Sequence, residues 1–403
     1  MKMLPYSKQH IDDDDIAAVA AVLRSDWLTT GPTVQAFEKA VAEKLNVRFA
    51  ISCSSGTAGL HMAAMALRLG KGDVVVVPTI TFLATANGPA LAGADVVFAD
   101  VDPLTGLMTP ETLEAAIERG SKMGRVRAAF PVHMTGQSCD MRALAAVARK
   151  HDIVLIEDAA HAMGATVDLP NGKSARVGSC PHSLGAVLSF HPVKTITSGE
   201  GGMVLTNDPE FAEALRNAGN SGMTRDPSNF RNHGMAFQDD GCPNPWHYEM
   251  HHLGTNYRLS DIHAALCLSQ LDKLDAFVGQ RRMLADVYAR EMPALDPVVR
   301  PIPRMPAQQS AWHLYVAAID FQGIGKSRAQ LMFELRDYGI GTQVHYIPVH
   351  RQPYYTDRFG YTDLRGAETY YTHALSLPLF YDMTEEDVVY VCKTLGDLIR
   401  AGE

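Results

Sequence analysis

The sequence predicts an α/β fold: a mainly parallel central sheet with helices on both faces, followed by a smaller C-terminal α+β domain. Three observations carry that expectation. From residue 35 to about 270, apolar runs of four to seven residues alternate with longer amphipathic stretches. The runs lack polar alternation, as strands buried on both faces do, and strand–helix–strand repetition makes neighbouring strands parallel. At 403 residues the chain also has the length of about two domains. A large domain over 1–270, with an N-terminal arm (1–30), and a small domain over 271–403 are expected.

The predicted strands are Phe49–Ser52, Val74–Pro78, Val96–Asp100, Val126–Val132, Ile153–Glu157, Val187–Phe190 and Met203–Thr206. Between them, helical periodicity covers Val34–Leu45, Leu60–Leu69, Pro110–Ile117, Met141–His151 and Pro209–Ala218. Ser221–Gly254 then breaks the pattern with a Gly-, Asn-, Asp- and Pro-rich segment that carries Trp246 and Tyr248. A segment so long without periodicity is functional or disordered, and its aromatic residues favour function. Two helices follow, Leu259–Phe277 and Val278–Met292. The C-terminal block shows strands near His313–Ile319 and Thr342–Tyr346 and helices near Ser327–Tyr338 and Thr384–Ala401.

Composition narrows the function. The net charge of −9 argues against a nucleic-acid surface, which needs a basic patch. No run of 18 apolar residues is present, so no membrane span is expected, and the opening MKMLPYSKQHIDDDD lacks the apolar region of an export signal. The six cysteines are scattered and form no CxxC pair, which fits a reducing compartment and a cytoplasmic protein. Three motifs fail on inspection. Gly325-Lys326-Ser327 has Asp320 where a phosphate-binding P-loop needs its first glycine, and no GxGxxG occurs. His247 and His251 have the spacing of a zinc pair, but Tyr248 stands where a zinc hydrolase needs glutamate. No metal is expected.

Four other segments combine. Ser54-Ser55-Gly56-Thr57-Ala58-Gly59-Leu60-His61 is a small-residue turn from strand to helix, whose free N–H groups and helix dipole suit a phosphate. Ile156-Glu157-Asp158-Ala159-Ala160-His161 puts an acid at the carboxyl end of a strand, the edge where open α/β sheets bind ligands. Ser189-Phe190-His191-Pro192-Val193-Lys194 sets a lysine between two core strands, where desolvation lowers its pKa as a Schiff-base lysine requires. Thr79-Ile80-Thr81-Phe82 supplies an aromatic plate at the same edge. Phosphate turn, acid, plate and lysine are the parts of a pyridoxal phosphate site.

With these motifs in view, the sequence resembles the sugar aminotransferases of the DegT/DnrJ/EryC1/StrS family, which have the fold type I pyridoxal phosphate architecture. SSGTAGLH, PTITFLATAN, EDAAHAMGA, SFHPVKTITSGEGG and NYRLSDIHAAL match in the family's order, so the resemblance covers nearly the whole chain. Within the family, LPYSKQHIDDDDIAAVAAVLRSDWLTTGP and GTQVHYIPVHRQPYY are most similar to UDP-4-amino-4,6-dideoxy-N-acetyl-β-L-altrosamine transaminases of pseudaminic acid synthesis. The resemblance implies that Lys194 carries the cofactor and Asp158 holds its pyridine nitrogen protonated. It implies that Phe82 stacks on one ring face, that Ala160 and His161 line the other side, and that Gly56, Thr57 and Ser189 hold the phosphate. Asn256 would reach the phosphate from the partner subunit of a homodimer with shared active sites. Tyr6, Asp26, Trp27, Leu28 and Thr29, with His345 and Tyr346 in the stretch Val344–Ile347, match substrate-contacting positions. Some relatives have histidine in place of the lysine and act as dehydratases; Lys194 therefore implies transamination. The implied reaction moves an amino group from glutamate to C4 of a nucleotide-linked 4-keto-6-deoxy sugar. GDP- or dTDP-linked sugars are alternative substrates, and a non-catalytic sensor that kept the fold is the alternative outside enzymes.

Overall fold

The computed structural model describes residues 3–170 and 172–400. The valine- and alanine-rich runs form a seven-stranded sheet. In chain order its strands are β1 (Phe49–Cys53), β2 (Asp73–Pro78), β3 (Asp95–Ala99), β4 (Arg125–Ala129), β5 (Val154–Asp158), β6 (Gly185–Ser189) and β7 (Gly202–Thr206). Their spatial order is β1-β7-β6-β5-β4-β2-β3. β7 runs antiparallel to both β1 and β6, and every other pairing is parallel. The expected mainly parallel sheet is therefore observed. Each predicted strand is present, shifted by up to two residues at most ends; Val126–Val132 ends earlier, at Ala129.

The connectivity gathers chemistry at one edge. The carboxyl ends of β1, β5 and β6 lie there together with the start of β7. Gly202 sits between Cys53 and Ser189 in the two antiparallel registers. The helices Gly56–Ala66, Leu83–Leu91, Pro110–Gly120, Met141–Lys150 and Pro209–Gly219 cover the faces and bury the apolar strand residues. Burial of this kind stabilises by about 25 cal/mol per Å² of apolar surface, which makes the sheet edge a rigid platform.

Several expectations need correction. Leu259–Phe277 and Val278–Met292 are not two helices: one helix of 31 residues runs from Asp261 to Glu291, because nothing between Phe277 and Val278 breaks it. The expected division at residue 270 lies inside this helix. Thr342–Tyr346 is not a strand; a single bridge joins Gln343 to Ser376. The C-terminal sheet instead pairs Tyr315–Ile319 with Val299–Pro301 on one side and Ala374–Leu377 on the other. Its core, with Tyr288, Tyr315 and Leu331, also takes in Leu4 from the N-terminal arm.

The long helix anchors the start of the chain. Asp15, fully buried, accepts from Ser269 at 2.6 Å and Gln270 at 2.7 Å and pairs with Lys273 at 2.9 Å. This fixes the helix Asp13–Leu23, which the sequence reading left without an element. Asp261, also buried, accepts from the backbone N–H groups of Gly31 and Thr33 and so caps the helix Pro32–Leu45 from a distance of 228 residues along the chain.

Candidate active site

A cleft of about 640 Å³ opens at the carboxyl edge of the sheet. The volume suits a small-molecule ligand or cofactor. Gly56, Thr57, Phe82, Asp158, Ala160, His161, Ser189, Lys194, Tyr6, His345 and Tyr346 all line it. Residues from Tyr6 to Tyr346 thus meet in one cleft.

The floor is the turn after β1. Ser55 caps the helix Gly56–Ala66 by accepting from the N–H of Ala58 at 3.1 Å. The N–H groups of Gly56 and Thr57, in the first turn, have no helical partner to donate to. A Cβ on Gly56 would stand 2.9 Å from Cβ of Ser189, so glycine lets β6 close against the turn. A Cβ on Gly202 would lie 2.4 Å from the carbonyl of Ser55, so Gly202 is the seat on which the turn rests. The hydroxyls of Thr57 and Ser189 border this concavity. Backbone N–H groups, two hydroxyls and the positive end of a helix form a cradle for a dianion.

On the adjacent wall, β5 ends at Asp158, which is 6% exposed. One carboxylate oxygen accepts from Thr85 Oγ1 at 2.7 Å and the other from the N–H of Ala160 at 3.1 Å. Its neighbour Glu157 points the other way, to Nε2 of His133 at 2.7 Å. The side-chain alternation of a strand thus sends one acid into the cleft and the other into the core.

Lys194 lies in the connection from β6 to β7. That connection is tied to itself: Thr197 Oγ1 and the N–H of Ser198 both donate to the carbonyl of Phe190 at 3.0 Å, and the N–H of Lys194 donates to that of His191 at 2.9 Å. Ser7 braces it from the N-terminal arm by donating to the carbonyl of Val193, which also brings Tyr6 to the cleft. The Lys194 amine forms no ion pair within 4 Å among the described residues. Burial among protein atoms lowers its pKa to about 8, against the opposing pull of Asp158. About a tenth of such an amine is unprotonated at pH 7.

The far wall is histidine-rich. His161 Nε2 meets the Tyr346 hydroxyl at 3.1 Å, its ring lies 4.3 Å from that of His313, and His345 Nδ1 meets Ser376 at 2.7 Å. Burial, then the neighbouring Lys194, pushes His161 well below the ordinary histidine value and lowers His345 to about 3. These imidazoles are neutral at pH 7 and add no competing charge near Lys194. Nδ1 of His161 and Nδ1 of His313 are buried without a partner, which leaves polar atoms for a bound molecule. Phe82, at the mouth, is 56% exposed with its ring centroid 6.1 Å from that of Tyr346.

The sequence reading missed Thr85, Gly202 and His313. Thr85 lies in the quoted PTITFLATAN motif, but its role depends on a contact 73 residues away in the chain. Five expected site residues lie outside the cleft: Asn256, Asp26, Trp27, Leu28 and Thr29. All five are exposed, and Thr29 pairs with Ser260 while Asn256 pairs with Asn220. The zinc-like pair is a hydrogen-bonded cluster: His247 and His251 both meet Glu249, at 3.4 and 2.7 Å. Among the described residues no group of three or more His, Cys, Asp or Glu side chains is placed to hold a metal ion, and no helix is long and apolar enough to cross a membrane.

The sequence matches the DegT/DnrJ/EryC1/StrS aminotransferase family over residues 9–396. The chain belongs to that family. It is 37% identical, over 99% of its length and 98% of the relative's, to the spore coat polysaccharide biosynthesis protein SpsC of Bacillus subtilis. Among solved structures it is similar to Helicobacter pylori PseC, an aminotransferase involved in the biosynthesis of pseudaminic acid, with a TM-score of 0.86 and 28% identity over 99% of this chain and 100% of that one. It is also similar to Spr1654 from Streptococcus pneumoniae in its PLP form, at TM-score 0.86 and 25% identity over the full length of both chains. The cleft fits the cofactor named in that form: a dianion cradle, a carboxylate and an uncommitted amine surround one space.

Proposed function

We propose that this protein is a pyridoxal-phosphate-dependent aminotransferase that moves an amino group from glutamate to C4 of a nucleotide-linked 4-keto-6-deoxy sugar. UDP-2-acetamido-2,6-dideoxy-β-L-arabino-hexos-4-ulose is the substrate favoured by the likeness to PseC. The observation that carries the reading is the pairing of Lys194, an amine with a pKa lowered to about 8, with the buried, doubly hydrogen-bonded Asp158 in one cleft above a phosphate cradle.

When bound, the cofactor supplies an electron sink for the carbon that loses or gains the amino group. The protein's residues do the rest. Gly56, Thr57 and Ser189 bind the phosphate and fix the ring's position. The Asp158 carboxylate holds a proton on the pyridine nitrogen, which keeps the sink effective. Phe82, Ala160 and His161, which line the cleft, would pack around the ring. Lys194 Nζ would take the proton from the α-carbon of glutamate in the first half. In the second half Nζ delivers a proton to C4 of the sugar. Tyr6, His345 and Tyr346 line the space left for the sugar. Asn256 and the stretch from Asp26 to Thr29 serve the neighbouring active site of a homodimer.

A panel of UDP-, GDP- and dTDP-linked 4-keto sugars, assayed for glutamate-dependent amination, tests the reading. Turnover of the UDP sugar above the others is expected. Turnover of a GDP- or dTDP-linked sugar alone would reassign the substrate, and no turnover of any would remove the catalytic reading.

A further inference from the structure

Among the described residues the Asp158 side chain accepts hydrogen bonds from two donors, the N–H of Ala160 and the hydroxyl of Thr85, and the second ends a chain of hydroxyls. Thr85 Oγ1 lies 2.7 Å from Asp158 Oδ2, and Thr81 Oγ1 lies 2.7 Å from Thr85 Oγ1. Thr81 is 2% exposed and Thr85 is fully buried. An ionised carboxylate only accepts hydrogen bonds, and a threonine hydroxyl has one proton to give. The direction is therefore fixed: Thr81 donates to Thr85, and Thr85 donates to Asp158. Each link polarises the next, which strengthens the last bond.

The helix Leu83–Leu91 holds this relay in place. A Cβ on Gly88 would meet the backbone of Leu60 at 3.0 Å, so this helix packs directly on the helix that follows the phosphate turn. Tyr355 donates to Asn87 at 2.8 Å from the C-terminal part of the chain. Phe82, at the N-cap, and Thr85, one turn later, thus sit on the same rigid element.

We infer that Thr85, backed by Thr81, is a positioning residue for the reaction: its hydroxyl orients the Asp158 carboxylate toward the pyridine nitrogen of the bound cofactor. The inference rests on the proposed role of Asp158. A hydrogen bond from a fixed donor holds a carboxylate in one orientation, and removing the donor frees the side chain to turn. Without Thr85 the carboxylate is free to turn away from the ring nitrogen and loses its alignment with the ring proton, although Thr85 itself does not line the cleft.

The test compares Thr85→Val, which keeps shape and loses the donor, with Thr85→Ser, which keeps the hydroxyl. Both are loaded with pyridoxal phosphate carrying 15N in the ring. In Thr85→Val, kcat should fall about tenfold or more with KM within about threefold, the pattern of lost transition-state stabilisation. The 15N resonance should lose its protonated position at a pH roughly one unit lower than in the wild type. Thr85→Ser should restore both within about threefold and a few tenths of a unit. A wild-type 15N profile and kcat in Thr85→Val would overturn the inference. If Thr85→Val does not fold, Thr81→Val decides: a shift in the same direction but smaller supports the relay, and an unchanged profile overturns it. Asp158→Asn separates the two levels. It should lose about a hundredfold in kcat; if it is also unaffected, the reading of the site fails, and not the positioning role alone.

Discussion

The sheet-edge cleft gathers Asp158, Ser189 and Lys194 between buried strands, whereas the segment Ser221–Gly254 folds around one carboxylate and leaves Trp246 73% and Leu253 86% exposed. Glu249 is that segment's centre. It accepts from the N–H groups of Arg231 and Asn232, both at 2.8 Å, and from His251 at 2.7 Å, and these bonds hold its pKa down at about 2. The difference teaches where each part of the site gets its shape. Cleft residues are placed by the core, so their geometry is complete in one chain. The segment has local hydrogen bonds but leaves its large apolar side chains Met235, Trp246, Tyr248, Met250 and Leu253 uncovered. The exposed positions of Asn256 and of Asp26–Thr29 belong to the same pattern.

The comparison breaks first at Lys194. Lys194→Ala should lower glutamate-dependent amination by roughly four orders of magnitude, because among the described residues no other amine lines the cleft. Rates within about tenfold of wild type would mean that the core-built region is not the reaction centre. The second region is sharpened by mixing Lys194→Ala with Asn256→Ala. If Asn256 serves the neighbouring site, a mixed dimer has one site with both defects and one intact site. Random exchange makes about half the dimers mixed, so about a quarter of all sites should recover. Exchange without recovery would place the whole site in one chain.

The smallest effect is on pH. Capture of the cofactor by the free protein needs the unprotonated amine. A pKa lowered to about 8 means that the proton leaves earlier as pH rises, so the capture rate should climb about tenfold per unit below that value and level off above it. A rate still climbing at about pH 9.5 would show that burial does not lower this amine.

Much of the first region was legible in the sequence because the strands are continuous apolar runs and the reactive residues follow their ends directly. Asp158 closes β5, Ser189 closes β6, and Gly56 opens the helix after β1. Other features depend on contacts far apart in the chain. Gly202 matters through the Ser55 carbonyl, Thr85 through Asp158 and Asp261 through the N–H of Gly31, and local pattern does not record such pairs. The Thr342–Tyr346 stretch has strand-like residues, but it forms a single bridge, from Gln343 to Ser376, and its residues Gln343 to Tyr346 line the cleft instead. The long helix carries its buried residues without a gap across Phe277 and Val278, so the sequence holds no signal for a break there.

The most direct measurement maps the covalent bond to the cofactor. The purified protein is loaded with pyridoxal phosphate, reduced with borohydride, digested and analysed by mass spectrometry, with and without prior glutamate. The expected result is a stable pyridoxyl mark on the peptide that contains Lys194, lost when glutamate is added before reduction. A mark on a different lysine, or on none, would contradict the placement of the reaction at this sheet edge.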